Sequence, residues 1–150
     1  MSLEPMSQGA PADVLVGLGS NIEPEVNLEH AARVLREQFG EVRFSAVYRS
    51  AAVGMEGDDF LNACCRFRTD LPLAELKQLL KRIEDAHDRD RSQGSWKPRT
   101  LDLDVLIYHG EVVDDELYRY AHAYVPAAEL VDIALPADAE QAVHLHALCL

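Results

Sequence analysis

The stretch Leu101-Asp102-Leu103-Asp104-Val105-Leu106-Ile107-Tyr108 begins with strict alternation of apolar and acidic residues, and this period of two predicts a β-strand. Side chains two positions apart in a strand share a face, so Asp102 and Asp104 should project together, about 7 Å apart along the backbone. The leucines between them should face a core. His109-Gly110 follows as a turn. One face of this strand is therefore predicted to carry paired carboxylates.

Five elements upstream of this strand complete a recognisable order. Two segments have the spacing of amphipathic helices, one segment is a short apolar strand, and two alternate as strands. In chain order they are a strand at 14–18, a helix at 25–39 that stops at Gly40, strands at 42–48 and 61–67, and a helix at 73–87. We predict an α+β fold of the ferredoxin-like β-α-β-β-α-β type, with a mostly antiparallel sheet, both helices on one face, the other face open for a ligand, and a short C-terminal extension.

The two ends of the chain are less regular than its middle. Residues 1–12 are small, polar and proline-bearing, which predicts a disordered N-terminal segment, and Met1-Ser2-Leu3 has the look of an expression scar. We expect residues 13–150 to form a single domain. Within it, Glu129 to Ala134 is predicted to be a short helix and residues 137–150 a loosely packed end.

Composition excludes several classes of protein. With 150 residues, 48% of them hydrophobic and 27% charged, the chain is typical of one globular domain. The longest apolar stretch, Val14 to Leu18, is too short to span a bilayer, and the start lacks the pattern of a secretory signal. The net charge of −12 argues against a nucleic-acid partner. We therefore expect neither a membrane nor a nucleic acid as partner.

The cysteines indicate a reducing compartment. Cys64 and Cys65 are adjacent and Cys149 lies next to the end, so three residues offer no disulfide framework. We predict free thiols, with the adjacent pair packed in a strand, and a cytoplasmic location.

A cluster of cations immediately precedes the paired carboxylates. Arg89, Arg91, Lys97 and Arg99 fall within eleven residues of a chain that is otherwise acidic. Carboxylate oxygens suit Mg²⁺, and arginines donate bidentate hydrogen bonds to phosphate, so the combination favours a phosphate site. Two plainer interpretations remain open: a solvated loop whose arginines pair with nearby aspartates, and a strand whose acidic face simply meets water.

Two further segments bear on a ligand site. Gly17-Leu18-Gly19-Ser20-Asn21 matches neither a P-loop nor a dinucleotide fingerprint, and Gly19 is interpreted as permitting a tight turn while Ser20 or Asn21 caps local backbone. Phe60 and Asn62 share the open face of their strand, where a planar ligand would stack and receive directional hydrogen bonds. Two alternatives stay open. Phe60 could instead be a residue at the edge of the core, and Trp96 could either clamp a ligand or cover the core.

Taken together, these segments resemble the 6-hydroxymethyl-7,8-dihydropterin pyrophosphokinase family of folate biosynthesis. The resemblance covers about residues 13–113, and the run Pro98 to Asp104 is its most specific part. It rests on Val16-Gly17-Leu18-Gly19-Ser20-Asn21, Tyr48-Arg49-Ser50 with Gly54, Phe60-Leu61-Asn62-Ala63, Ile83-Glu84, Arg89, Arg91, and Trp96-Lys97-Pro98-Arg99-Thr100-Leu101-Asp102-Leu103-Asp104.

The resemblance implies an enzyme, a 2-amino-4-hydroxy-6-hydroxymethyldihydropteridine diphosphokinase, which transfers pyrophosphate from ATP to the pterin and releases AMP. Its partners would be ATP and a reduced pterin, its cofactor two Mg²⁺ ions, and its assembly a monomer or weak homodimer. By carry-over, Asp102 and Asp104 would hold the two ions. Arg89 and Arg99 would hold phosphate oxygens and neutralise charge at the transferring phosphorus.

The same resemblance implies which residues surround the two substrates. Four would line the pterin pocket, with Phe60 in place of a usual tyrosine, and five would contact ATP, some of them on a loop that closes over the site. The pterin residues are Ser50, Val53, Phe60 and Asn62, and the ATP residues are Glu84, Arg91, Trp96, Arg99 and His122.

The chain also departs from the family pattern. The segment 114–126 is shorter than usual, and His122 and Arg119 occur in the reverse order of the family's histidine and arginine. Ala51-Ala52 stands where the family tends to have prolines, which loosens the pterin loop. Three functions therefore stay open at this point: the pyrophosphokinase itself, a related transferase for a different pterin-like alcohol, and a non-catalytic pterin- or nucleotide-binding module.

Overall fold

A computed structural model describes residues 11–50, 59–92, 101–133 and 143–150, and of residues 88–92 it describes the backbone alone. In this part of the chain, seven strands form one sheet, and helices pack on both of its faces. The strands are β1 (Ala12–Ser20), β2 (Arg43–Phe44), β3 (Val47–Ser50), β4 (Phe60–Thr69), β5 (Asp102–Tyr108), β6 (Glu111–Val112) and β7 (His144–His146). The helices are α1 (Pro24–Phe39), α2 (Leu73–Ser92), α3 (Glu116–Arg119) and α4 (Ala121–Ala127).

The sheet has the predicted topology. Its order is β6-β5-β1-β4-β3-β7, β2 also pairs with β4, and every pairing is antiparallel. The β-α-β-β-α-β order and the α+β class are confirmed. β1 lies at the centre between β4 and β5, so the residues of these three strands determine what each face of the sheet presents.

The main core lies between the sheet and helices α1 and α2. Each helix turns one apolar stripe inward, as the spacing of its leucines predicts. Leu28, Leu35, Leu76 and Leu80 are all nearly inaccessible. Burying each such side chain contributes about 1.5–3 kcal/mol. Helices α1 and α2 are therefore held by this apolar contact with the strands.

Two chain reversals follow the sequence prediction. Gly40 ends α1 with a φ of 82°, and its N–H donates to the Arg36 carbonyl at 2.9 Å. His109 and Gly110 have φ values of 53° and 85° and join β5 to β6. Positive φ favours glycine at both places.

The two predicted helices, α1 and α2, do lie on one face of the sheet, but the prediction that the whole opposite face is open for a ligand is wrong. Helices α3 and α4 lie against the opposite face, where Leu15, Leu106 and Leu117 form a second, smaller apolar cluster with residues of α4. The strands carry apolar residues on that face at one end, and those residues need cover from water. Only the other end of the face stays open. The predicted helix at Glu129 to Ala134 is also wrong, because residues 128–130 form a turn after α4.

The edge of the sheet differs from prediction in two places. The strand expected at 42–48 is two pieces, β2 and β3, whose registers on β4 differ by one residue because of a bulge at Ser45 and Ala46. The tail expected to pack loosely instead contains β7, which pairs with β3. Backbone hydrogen bonding to an unpaired edge explains why this short polar segment is ordered.

The predicted domain boundary is wrong by at least one residue. Ala12 is buried and begins β1, whereas the sequence placed it in a disordered segment. Residues 1–10, including the suspected scar, lie outside the described residues. No helix in the described ranges is both long and apolar enough to cross a bilayer.

Candidate active site

The register of three strands builds the floor of the site. Gly17 of β1 lies opposite Asp104 of β5, and Gly19 lies opposite both Asp102 of β5 and Asn62 of β4. Residues paired across antiparallel strands point to the same face. The two carboxylates and the amide therefore project around two glycines, which leave open space between them.

A cavity of about 210 Å³ lies above this floor. Residues of β1, β3, β4 and β5 line it from the sheet, and residues of α3 and α4 line it from above. The lining is Gly17, Leu18, Gly19, Ser50, Phe60, Asn62, Ala63, Asp102, Asp104, Leu106, Glu116, His122 and Ala123.

The glycines do not act as predicted. Gly19 lies inside β1 and makes no tight turn, so that interpretation is wrong. A Cβ at Gly17 would come 3.3 Å from Leu106 Cδ1, and one at Gly19 would come 3.5 Å from Asn62 Oδ1. Both glycines keep the cavity floor clear of side chains. Ser20 does make the expected local contact, because its hydroxyl donates to the Ile22 carbonyl.

Asn62 is held in one orientation by two acceptors. Its Nδ2 donates to the Tyr48 carbonyl at 3.2 Å and to Ser50 Oγ at 2.9 Å, and the residue is only 4% exposed. Both amide hydrogens are thereby used. Oδ1 then faces Gly19 at the cavity floor as a fixed acceptor. The site consequently favours a ligand that brings N–H donors to this point.

The carboxylates form the acidic wall of the cavity. Asp102 is partly buried and Asp104 is exposed, while the flanking Leu101 and Leu103 are buried on the opposite face. The predicted division of this strand is confirmed. Glu116 of α3 adds a third carboxylate to the lining. Like charges in one cavity repel each other, so a bound cation would stabilise this arrangement.

A groove of about 280 Å³ adjoins the cavity and shares Asp104 with it. Lys77 and Lys81 of α2 supply its positive side chains, and Lys81 Nζ is 3.7 Å from Asp85 Oδ1. Glu84 also lines the groove. Its buried carboxylate accepts a 2.6 Å hydrogen bond from the Leu103 amide and so ties α2 to β5.

The structure brings most of the described candidate residues together. Glu84 lies in the groove, and Arg119, which pairs with Asp115 at 3.5 Å, is not among the described residues that line the cavity. The six candidates that line the cavity are Ser50, Phe60, Asn62, Asp102, Asp104 and His122. Val53, Trp96 and Arg99 lie outside the described residues, as do the side chains of Arg89 and Arg91.

Apart from His122, sequence reasoning missed the residues of α3 and α4 that line the site. Glu116 and Ala123 line the cavity, and Glu116 Oε2 is 3.1 Å from His122 Nε2. These residues reach the site only because the two short helices fold back over the sheet. Neither periodicity nor a motif in this segment indicates that contact.

Comparison with known proteins gives a family match. The family model described as 7,8-dihydro-6-hydroxymethylpterin-pyrophosphokinase (HPPK) matches residues 15–132, which is most of the chain. The matched range includes every described residue that lines the cavity.

Several curated relatives share a name. Proteins named 2-amino-4-hydroxy-6-hydroxymethyldihydropteridine pyrophosphokinase are 34% identical over 116 residues in Aquifex aeolicus and 33% identical over 124 residues in Haemophilus influenzae. These matches cover 76% and 80% of this chain, and 72% and 77% of the relatives. A protein of the same name from Synechocystis is 44% identical over 97 residues, covering 63% of this chain and 49% of that relative.

Proposed function

The chain belongs to the 7,8-dihydro-6-hydroxymethylpterin-pyrophosphokinase family, and we propose that it transfers pyrophosphate from ATP to 6-hydroxymethyl-7,8-dihydropterin and releases AMP. One observation carries the proposal at the level of the site. Asp104 lines both the cavity and the adjoining groove, with Asp102 beside it. Two carboxylates between the cavity and the groove suit a reaction that transfers a pyrophosphate group from a triphosphate in one to an acceptor in the other.

The cavity supports the acceptor side of the proposal. A pterin is flat and aromatic, and one edge of it carries N–H donors. Phe60 provides an aromatic surface, and the fixed Oδ1 of Asn62 provides an acceptor. Ser50 acts indirectly by holding the Asn62 amide. We propose that Val53, which the resemblance places in the same pocket, completes this wall.

The paired carboxylates fit Mg²⁺. Their oxygens are the hard ligands that this ion prefers, and the cavity leaves room for water and phosphate oxygens to complete its coordination. Within the described residues no group of three His, Cys, Asp or Glu side chains forms a ready metal site, so phosphate and water would supply most of the coordination. We propose that Asp102 and Asp104 hold two Mg²⁺ ions, which when bound would neutralise charge on the transferring phosphates.

The groove supports the nucleotide side. Lys77 and Lys81 bring positive charge next to Asp104 in a chain whose net charge is −12. We propose that ATP lies along this groove with its phosphates towards Asp104. The cations Arg89 and Arg99 are proposed to hold the phosphates, and Arg91, Trp96, Glu84 and His122 to contact the nucleotide. They are assigned by resemblance alone: the groove supports only the position of Glu84, and His122 lines the adjoining cavity, where it can also face the acceptor.

A related reaction on a different pterin-like alcohol is the second candidate. The observation that favours it is the wall built by α3 and α4, where Glu116 and His122 face the acceptor space. Phe60 also lacks the hydroxyl of the usual tyrosine.

The acidic pair disfavours the third candidate, a non-catalytic binding module, because a pure binder has little use for metal ligands. We further propose a cytoplasmic protein, since its described cysteines are free thiols, and an assembly that is a monomer or a weak homodimer.

Product analysis distinguishes these functions. The protein is incubated with Mg-ATP and reduced hydroxymethylpterin, and AMP and the pyrophosphorylated pterin are measured. AMP formed with this pterin supports the proposal, and AMP formed only with another pterin-like alcohol supports the second candidate. Pterin binding without AMP would contradict both and leave the binding module.

A further inference from the structure

Glu116 and His122 form a pair that no sequence motif indicates. Glu116 lies at the start of α3 and His122 in the first turn of α4, and the extended residue Tyr120 between the helices lets the chain fold back. Glu116 Oε2 lies 3.1 Å from His122 Nε2. Both side chains line the cavity that also contains Asp102 and Asp104.

The hydrogen bond fixes which nitrogen of the ring carries hydrogen. An ionised carboxylate only accepts, so Nε2 of His122 must donate. Among the described residues, no group hydrogen-bonds to the other ring nitrogen, Nδ1. In a neutral imidazole held this way, Nδ1 carries the lone pair and is the basic atom.

The pair is held firmly by its surroundings. The Tyr120 ring stacks on the His122 ring, with centroids 5.2 Å apart and planes 12° from parallel. The Glu116 amide donates to Asp114 Oδ1 at 3.0 Å, which anchors the start of α3. The side chains of Glu116 and His122 are 29% and 23% exposed, so water only partly screens the contact. Rotation of the imidazole is therefore restricted on two sides.

Resting on the proposed function, we propose that Glu116 is a positioning residue that orients His122 to accept the proton of the acceptor's hydroxyl group. The hydroxyl oxygen forms a bond to the β-phosphorus of ATP, and the bond from that phosphorus to the α–β bridging oxygen breaks. AMP leaves with the bridging oxygen and its electron pair. The hydroxyl proton passes to Nδ1 of His122 and then to water. A carboxylate that orients a histidine base is a recurring arrangement in catalysis.

Steady-state kinetics of variants tests this role with a result that a structural role would not give. We expect His122→Ala to lower kcat about 100-fold or more, the usual effect of losing a general base. Glu116→Ala should lower kcat about 10- to 100-fold by releasing the ring, with KM for ATP little changed. Glu116→Gln keeps an acceptor oxygen, so its kcat should fall by less than that of Glu116→Ala. Asp115→Ala serves as the matched control, because Asp115 is a neighbouring exposed carboxylate. Its kcat should stay within about twofold of the wild-type value.

The double variant decides whether Glu116 acts through His122. Glu116→Ala should have no further effect in a His122→Ala background, and added imidazole should restore part of the activity of His122→Ala. Independent effects that multiply would overturn the proposal, as would a rise in KM for ATP with kcat unchanged. Thermal unfolding of each variant identifies any loss that comes from misfolding. If the wild-type protein forms no AMP, the proposed function itself is wrong and this role falls with it, whereas active wild type with an unaffected Glu116→Ala overturns this role alone.

Discussion

Gly19 is a residue whose missing side chain shapes the cavity. An added Cβ would meet Asn62 Oδ1 at 3.5 Å and Phe60 Cδ2 at 4.0 Å, which are ordinary contacts. Gly19→Ala should therefore fold with unchanged or slightly higher stability. The methyl group would occupy the space beside the Asn62 acceptor, and we expect pterin affinity to fall about tenfold, or about 1.4 kcal/mol. Calorimetric titration with the pterin and thermal unfolding measure the two effects.

Gly40→Ala is the matched control for this substitution. Its φ of 82° strains any residue with a Cβ, although nothing lies within 4 Å of that position. We expect this variant to lose about 1 kcal/mol of stability and to bind the pterin normally. An equal loss of affinity in both variants, or none in Gly19→Ala, would contradict the assigned cavity floor.

Asp102 and Asp104 should matter for chemistry and little for recognition of the pterin. Asp102→Ala and Asp104→Ala each remove a proposed metal ligand but leave Asn62 and Phe60 in place. We expect turnover to be abolished and pterin affinity to be retained. Rapid-quench measurement of AMP, together with pterin binding by fluorescence, checks both expectations. Loss of pterin binding in a folded variant would argue against the metal role.

Arg66 joins β4 to β1 and to the turn after α4, at the end of the sheet opposite the cavity. Its Nε and Nη2 donate to the two oxygens of Asp13 at 3.0 and 2.7 Å, and its Nη1 donates to the Leu130 carbonyl at 2.5 Å. The pair is more than a third exposed at both side chains, which limits its strength. We expect Arg66→Ala to lower the free energy of unfolding by about 1–2 kcal/mol, measured by urea denaturation.

The contact between Asp13 and Arg66 also contributes to the pH dependence of folding stability. The hydrogen bonds from Arg66 hold the pKa of the Asp13 carboxyl below its usual value. A carboxyl with a lowered pKa stabilises the fold above its unfolded pKa, about 3.9, and this contribution disappears as the pH falls through the folded value. The stability difference between wild type and Asp13→Asn should be constant from about pH 5 to 7 and shrink below about pH 4. A difference that grows on acidification would contradict the contact.

Elements with long, periodic apolar patterns were predictable, and those held by distant contacts were not. Helices α1 and α2 and strands β1, β4 and β5 follow from their own spacing. The placement of α3 and α4 depends on apolar residues that β1, β4 and β5 leave uncovered on their second face. A polar contact also holds the turn after α4 in place: the Glu129 carboxylate accepts hydrogen bonds from the Ala46 amide, which the bulge leaves unpaired in the sheet, and from the Tyr48 hydroxyl. No local pattern encodes such a contact across more than eighty residues.

The described part of the molecule has two apolar layers, and the adjacent residues Cys64 and Cys65 lie in different layers. Cys65 lies in the main core beneath α1 and α2, and Cys64 lies in the smaller cluster beneath α4, where its thiol is 3.7 Å from the Ala123 carbonyl. Burial raises the pKa of both thiols well above the usual range, so neither should react in the folded state. The exposed Cys149 should react at once.

Thiol labelling of single-cysteine variants therefore tests the two-layer description. Because the smaller cluster buries fewer apolar groups, we expect α4 to open more readily than the main core, so that Cys64 is labelled faster than Cys65. Reduced hydroxymethylpterin should slow labelling of Cys64, since the cavity is bounded by both the sheet and Ala123 of α4. Equal rates for the two thiols, unaffected by the pterin, would contradict separate layers.

The site as a whole was predictable in its residues more than in its shape. The carboxylate pair, Asn62 and Phe60 follow from strand periodicity and the family resemblance. Their meeting over Gly17 and Gly19 depends on the register of β1 with its two neighbours, which a single sequence does not specify. The roof of the cavity depends on the fold-back of α3 and α4, so Glu116 was missed.

The central claim is that Asp102 and Asp104 recruit divalent cations when a nucleotide is bound. Manganese binding followed by electron paramagnetic resonance, with a non-hydrolysable ATP analogue and the pterin present, tests it directly because Mn²⁺ takes the oxygen ligands that Mg²⁺ takes. We predict two Mn²⁺ ions per chain in the wild-type protein, and no binding above the level of the free nucleotide complex in an Asp102→Asn/Asp104→Asn variant that still folds. Identical manganese binding by the two proteins would contradict the account.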